Sequence, residues 1–229
     1  MPLPDGYNGI GNTNVTRGGR NRRVPVGSLV RFGFYANGGA VGPAAAVANG
    51  LLTTLAGPNT TTATLIPGNG LNGSLVSGSN AVFDYPRNVV ITVTHASAVV
   101  ALSGVITGKD YAGNVMTEAW SVTAGTASKT FTGKKAFKSV SSVTIVAAAD
   151  ASADSIVIGS GTVFGLYAPC DVASPVKELT DGAIVTNGTL VAKSSSASAD
   201  RFGTYSPNTA PNGTHTYEVW YISLNPTNA

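Results

Sequence analysis

Charge is scarce in this chain. Only 11% of its 229 residues are Asp, Glu, Lys or Arg, less than half the roughly 25% usual for soluble domains. A formal net charge of +3 is too small to imply nucleic-acid binding by itself. Cysteine occurs once, at Cys170. That excludes an intramolecular disulfide and leaves the thiol as a small buried hydrophobe. The only histidines are His95 and His215. With Cys170 they make no zinc-ligand spacing. No apolar window approaches the roughly 18 residues of a membrane-spanning helix, so no membrane partner is expected. The start, Met1 to Asn8, lacks a basic stretch followed by an apolar one. The expectation is synthesis in the cytoplasm without a signal peptide.

Hydrophobic residues make up 43%, with 28 glycines and many Ala, Ser, Thr, Val and Asn residues. β-Branched side chains pack well on a pleated surface, and Gly and Asn accept the backbone angles of tight turns. The length allows a large core without metal or disulfide. Residues 1–50 read as an extended N-terminal arm. It holds the basic run Thr16 to Arg23, the strand-like Gly27 to Tyr35, and a Gly/Ala stretch from Ala36 to Asn49. Residues 51–229 read as one β-sandwich domain, with a core at 83–166 and C-terminal strands over 167–229. In that core, Val89, Ile91 and Val93 alternate on one strand, and Met116, Glu118, Trp120 and Val122 on another. Gly108 to Asn114 reads as the hairpin turn between strands. Phe137 to Val146 places Val140 on one face and Val143 and Ile145 on the other. Ser155 to Gly159 and Thr162 to Tyr167 read as two strands. Ser194 to Gly213 reads as a long polar connection. The final strand alternates, with Tyr217, Val219 and Tyr221 on one side and Glu218, Trp220 and Ile222 on the other. Short strands at regular spacing predict an all-β antiparallel β-sandwich, jelly-roll-like, with the arm outside it.

Candidate chemistry is thin. No Gly-x-Ser-x-Gly elbow accompanies the histidines. Asp110, Asn114 and Glu118 carry oxygens but do not follow the twelve-residue calcium loop. Asp150 and Asp154 flank a turn, where acids are usually solvated. No catalytic, cofactor or metal residues are therefore assigned. Tyr217, Trp220 and Tyr221 are candidates for a sugar-stacking platform, although core packing is the commoner fate of such a strand. In residues 1–50, Arg17, Arg20, Arg22, Arg23 and Arg31 face a single acid, Asp5. No aromatics interleave with the four arginines from Arg17 to Arg23 for base stacking, so docking on a protein neighbour is preferred to nucleic acid. The expected inter-subunit contacts are Arg17, Arg20, Arg22, Arg23, Val30, Phe32, Phe34 and Tyr35.

Three stretches carry a resemblance. They are Tyr85-Pro-Arg-Asn-Val-Val-Ile-Thr-Val-Thr94, Val105-Ile-Thr-Gly-Lys-Asp-Tyr-Ala-Gly-Asn-Val-Met-Thr-Glu118, and Thr130 to Val143 with its Ala136-Phe-Lys-Ser-Val140. Together with Arg201 to Tyr217 they resemble small virion proteins of tailed bacteriophages, over roughly residues 83–222. The resemblance implies a homo-oligomeric decoration or cement protein on the capsid exterior. It would bridge capsomers, bind the major capsid protein and copies of itself as a dimer or trimer, and carry no catalytic residues or cofactor. A tail, neck or baseplate component is the alternative within the structural class. A carbohydrate-binding module is the alternative from another class.

Overall fold

The structure is a computed structural model, and it describes residues 14–17, 20–23, 28–34, 42–59, 61–194 and 201–224. The chain runs through β1 (Asn14–Arg17), β2 (Arg20–Arg23), β3 (Ser28–Phe34), β4 (Leu52–Ala56), β5 (Thr64–Pro67) and β6 (Val76–Ser77). It continues through β7 (Asn80–Thr94), β8 (Leu102–Lys109), β9 (Val115–Val122), β10 (Ser128–Thr132), β11 (Phe137–Ala147) and β12 (Ser155–Gly165). It ends with β13 (Lys177–Thr180), β14 (Ala183–Ile184), β15 (Thr189–Val191), β16 (Thr204–Ser206) and β17 (Tyr217–Ser223). The strands pair antiparallel, giving the all-β, sandwich-like fold that the alternation predicts.

The larger sheet is built around β7. This strand pairs with β12 on one side and with β11 and β10 on the other, and β11 continues to β8 and β9. Val89, Ile91 and Val93 point inward and are fully buried. They meet Met116, Trp120 and Val122 from β9 in one core. Because β10 also lies against β9, the sheet curls into a half-barrel. Pro86 sits within β7 although proline lacks the amide that a ladder needs. Register shifts between Phe137 and Ser139, and between Ser160 and Phe164, interrupt the ladders on both flanks there. A further shift between Val140 and Ser142 changes the parity of β11. Val140, Val143 and Ile145 therefore share the core instead of taking opposite faces.

The smaller sheet has the order β14-β13-β17-β3. Here the division at residue 50 needs correction. Ser28–Phe34 is not part of an outlying arm: it pairs with β17 along its whole length, from Ser28↔Ser223 to Tyr217↔Phe34. A seven-residue strand with apolar side chains at 30, 32 and 34 needs a surface to cover that face. Val30 and Phe34 find it in a second core with Phe164, Leu190, Phe202, Tyr205, Tyr217, Val219 and Tyr221. Phe34 stacks on Phe164 with ring centroids 4.7 Å apart.

Three other expectations are corrected. Ser155–Gly165 is one strand, irregular but unbroken. The connection before β17 carries β16, with Phe202 and Tyr205 buried. The Gly/Ala stretch is not part of an outlying arm from residue 42 onward. Val47 exchanges hydrogen bonds with Ser160 (3.0 Å to the hydroxyl, 2.9 Å from the amide), and Leu51 N donates to Ile158 O. This segment crosses so close to Gly159 that a β-carbon there would collide with the Val47 and Ala48 carbonyls.

Candidate functional site

The densest polar chemistry lies where the two cores meet, in Asp84-Tyr-Pro-Arg-Asn88. Arg87 is fully buried. Its Nε donates to Asp84 Oδ1 (2.7 Å) and its Nη2 to Asp84 Oδ2 (2.8 Å), a forked pair. The remaining donors reach Ala44 O (2.6 Å) and Gly161 O (3.3 Å). The guanidinium also lies over the Phe164 ring, 4.8 Å from its centre. Burial alone would raise the Asp84 pKa, but the hydrogen bonds and charge of Arg87, with the Tyr85 and Ala44 amides, hold it below its ordinary value. Burial pushes the Lys138 ammonium down, opposed by the charge of Asp84. Its Nζ donates to Phe83 O and Asp84 O (2.6 and 2.8 Å). Asn88 donates to Gly133 O (2.9 Å) and accepts from Val163 N (3.0 Å). These groups tie β7, β11, β12 and the 42–50 segment together, and their donors are spent on the chain itself.

A second cluster lies on the outer face of the smaller sheet. Trp220 sits in register between Lys177 and Arg31, whose charges approach its ring to 5.5 and 5.7 Å. Glu218 accepts from Trp220 Nε1 and Arg31 Nη2, each at 2.5 Å. A cleft of about 460 Å³, lined by Arg31, Leu179, Gly182, Thr216, Tyr217 and Glu218, runs beside this row.

The residues expected at inter-subunit contacts separate. Arg17 lies in β1, and Arg20, Arg22 and Arg23 lie in β2; the two strands pair with Arg17 opposite Arg20. Tyr35 is outside the described residues. Val30 and Phe34, expected at a contact, are instead taken up by this chain's own core. Phe32 is half-buried against Tyr167, with ring centroids 4.5 Å apart. The sugar platform does not assemble, because Tyr217 and Tyr221 are fully buried and only Trp220 looks outward. Tyr221 donates to Ala168 O (2.8 Å), and burial pushes the Tyr217 hydroxyl up to about 12.

The remaining candidates have structural partners. His95 Nδ1 accepts from the Ser97 and Ala98 amides, and His215 Nδ1 lies 2.7 Å from Asp181. Asp110 closes the β8–β9 turn on Asn114 N (2.8 Å). Glu118 accepts from the Lys134 and Lys135 amides (2.6 and 3.2 Å), so Asp110, Asn114 and Glu118 do not converge. Asp154 is not the solvated acid expected of a turn: it is buried and accepts from Val100 N (3.0 Å). Sequence reasoning missed the burial of Arg87 and Glu178. For Arg87, the acid three residues before it within a β run is the available signal. Glu178 accepts from Gly188 N, past the β13–β14 turn, and from Asn208 N, 30 positions on, and its own strand carries no sign of either.

Fold and clusters define an antiparallel β-sandwich-like protein with a curled main sheet and a second sheet closed by its first and last long strands. Comparison with protein-family models, curated proteins and solved structures finds no match.

Proposed function

We propose that this chain is a structural protein of a tailed-bacteriophage virion. In this reading it is a head decoration or cement protein that bridges capsomers through the major capsid protein and further copies of itself. The observation that carries the reading is the position of β3. Among the described residues it is the edge of the smaller sheet, and the arginine-rich stretch 17–23 precedes it in the sequence. An edge strand offers backbone groups for strand addition, and a basic segment just before it in sequence suits a neighbouring subunit. The stretches that carry the resemblance support the reading from another side. Pro86-Arg87-Asn88 locks the junction of the cores, Asp110 to Asn114 closes a hairpin, and Phe137 and Val140 fill the main core.

The test is a truncation of residues 2–27 that spares β3, assayed for occupancy on virion particles assembled without this protein. The full chain should bind and the truncated chain should lose occupancy. Unchanged occupancy refutes a bridging role for the segment, and failure of the full chain to bind refutes the decoration reading. A deletion reaching residue 35 would remove Phe34 from the core and would measure stability instead.

A further inference from the structure

The folded body hides its acids and displays its cations. Of the nine Asp and Glu side chains described, five are buried: Asp110, Glu118, Asp154, Glu178 and Glu218. Of the ten Lys and Arg side chains described, only Arg87 is buried. Two of the remaining acids are held by cations, Asp84 by Arg87 and Asp171 by Lys193. A near balance of ten cations to nine acids therefore leaves mainly cations among the charged groups that a partner can touch.

The cations gather at one end of the curled sheet. Lys109 ends β8, Lys138 opens β11, and Lys134 and Lys135 lie in the β10–β11 loop. Lys135 Nζ is fixed on Thr117 O (2.6 Å), next to the same hairpin. Of the acids nearest this end, Asp110 and Glu118 are turned inward onto backbone amides, and Asp84, beside Lys138, is paired with Arg87. One row of the sheet runs Val82–Ser139–Lys109–Val115 across β7, β11, β8 and β9. Its two valines are 42% and 66% exposed. We propose that this lysine-valine end docks on a carboxylate-rich protein surface, an inference that rests on the virion reading for its setting and deepens it by giving the partner's chemistry. Exposed valines beside the central lysine favour a protein over nucleic acid. A phosphate backbone satisfies cations but offers no aliphatic surface to cover the valines, and the cations described at this rim are lysines, without the paired donors by which arginine grips phosphate.

The experiment compares wild type with the double variant Lys109→Glu/Lys134→Glu and with a charge-matched control, Lys129→Glu/Arg201→Glu. Circular dichroism establishes that each variant is folded. Fluorescence anisotropy then follows binding of poly-L-glutamate and, separately, of duplex DNA, over a salt series. Salt-weakened binding of poly-L-glutamate, about tenfold weaker in the rim variant and within about twofold in the control, supports the proposal. Equal binding by the rim variant and wild type overturns it, as does no binding of poly-L-glutamate. Tighter binding of DNA, lost in the rim variant, overturns the choice of partner. These readouts use no particle, so their failure is distinct from failure of the full chain to decorate particles.

Discussion

Replacing Arg87 with Met tests whether the junction of the two cores depends on one guanidinium. The substitution keeps much of the aliphatic stem and removes every donor. Breaking a buried ion pair from one side costs about 3–5 kcal/mol, because a charge stays behind without its partner. Two features place the cost near the lower end. The Asp84 side chain is 35% exposed, so water can resolvate it. Ala44 lies at the surface, so its carbonyl also regains water. Gly161 O is less fortunate: the glycine is buried, and an acceptor left unmade there costs about 1–3 kcal/mol. We expect a loss of about 3 kcal/mol in urea unfolding at neutral pH. The two tryptophans report from different layers, Trp120 in the main core and Trp220 on the smaller sheet. Both transitions should move together. A loss below about 1 kcal/mol, or a shift in one transition only, would refute the reasoning. The pH dependence supplies a second check. Asp84 has a folded pKa below its unfolded value, so its contribution is present above the unfolded pKa and is lost as pH falls through the folded one. Asp84→Asn should therefore flatten the loss of stability in that acid window.

Three further outcomes follow from the packing. Phe34→Ala, which removes a fully buried ring stacked on Phe164, should cost about 3–5 kcal/mol in the same unfolding assay; a cost near zero would return β3 to the status of a detachable arm. Gly104→Ala should cost about 1–3 kcal/mol. Its methyl would be driven into the Thr144 carbonyl and to 2.7 Å from Trp120 Nε1, and the change should appear as altered Trp120 fluorescence. Cys170 is fully buried, and burial raises its thiol pKa to about 11, so a thiol reagent at pH 8 should label it only as fast as the chain unfolds; rapid labelling of folded protein would contradict this.

The main sheet was legible because its information is local. Val89, Ile91 and Val93 alternate without interruption, as do Met116, Glu118, Trp120 and Val122, and Asp110 to Asn114 carries ordinary turn chemistry. What escaped depends on partners far along the chain. Arg31 and Glu218 are separated by 187 positions, and nothing near residue 31 announces that pairing. Phe202 and Tyr205 stand in a run of Ser, Thr, Asn and Pro, so their burial follows from β12 and β15 rather than from their own pattern. Asp154 and Glu178 are buried acids that accept from amides 54 and 30 positions away, Val100 N and Asn208 N. Strict alternation puts Val140 opposite Val143 and Ile145, and a bulge, which has no period, returns it to their face.

The pairing of β3 with β17 also sets an order of events during synthesis. Ser28 meets Ser223, so the strand translated among the first waits for the last one described here. The main sheet through β12, which ends at residue 165, can fold while the ribosome is still working, and β15 and β16 join it later. The backbone of β3 stays unpaired through that interval, and the smaller sheet closes only after residue 223 has left the exit tunnel. Slow release of the C-terminus would expose a sticky edge on every nascent copy, and a chain stalled before β17 would present it permanently.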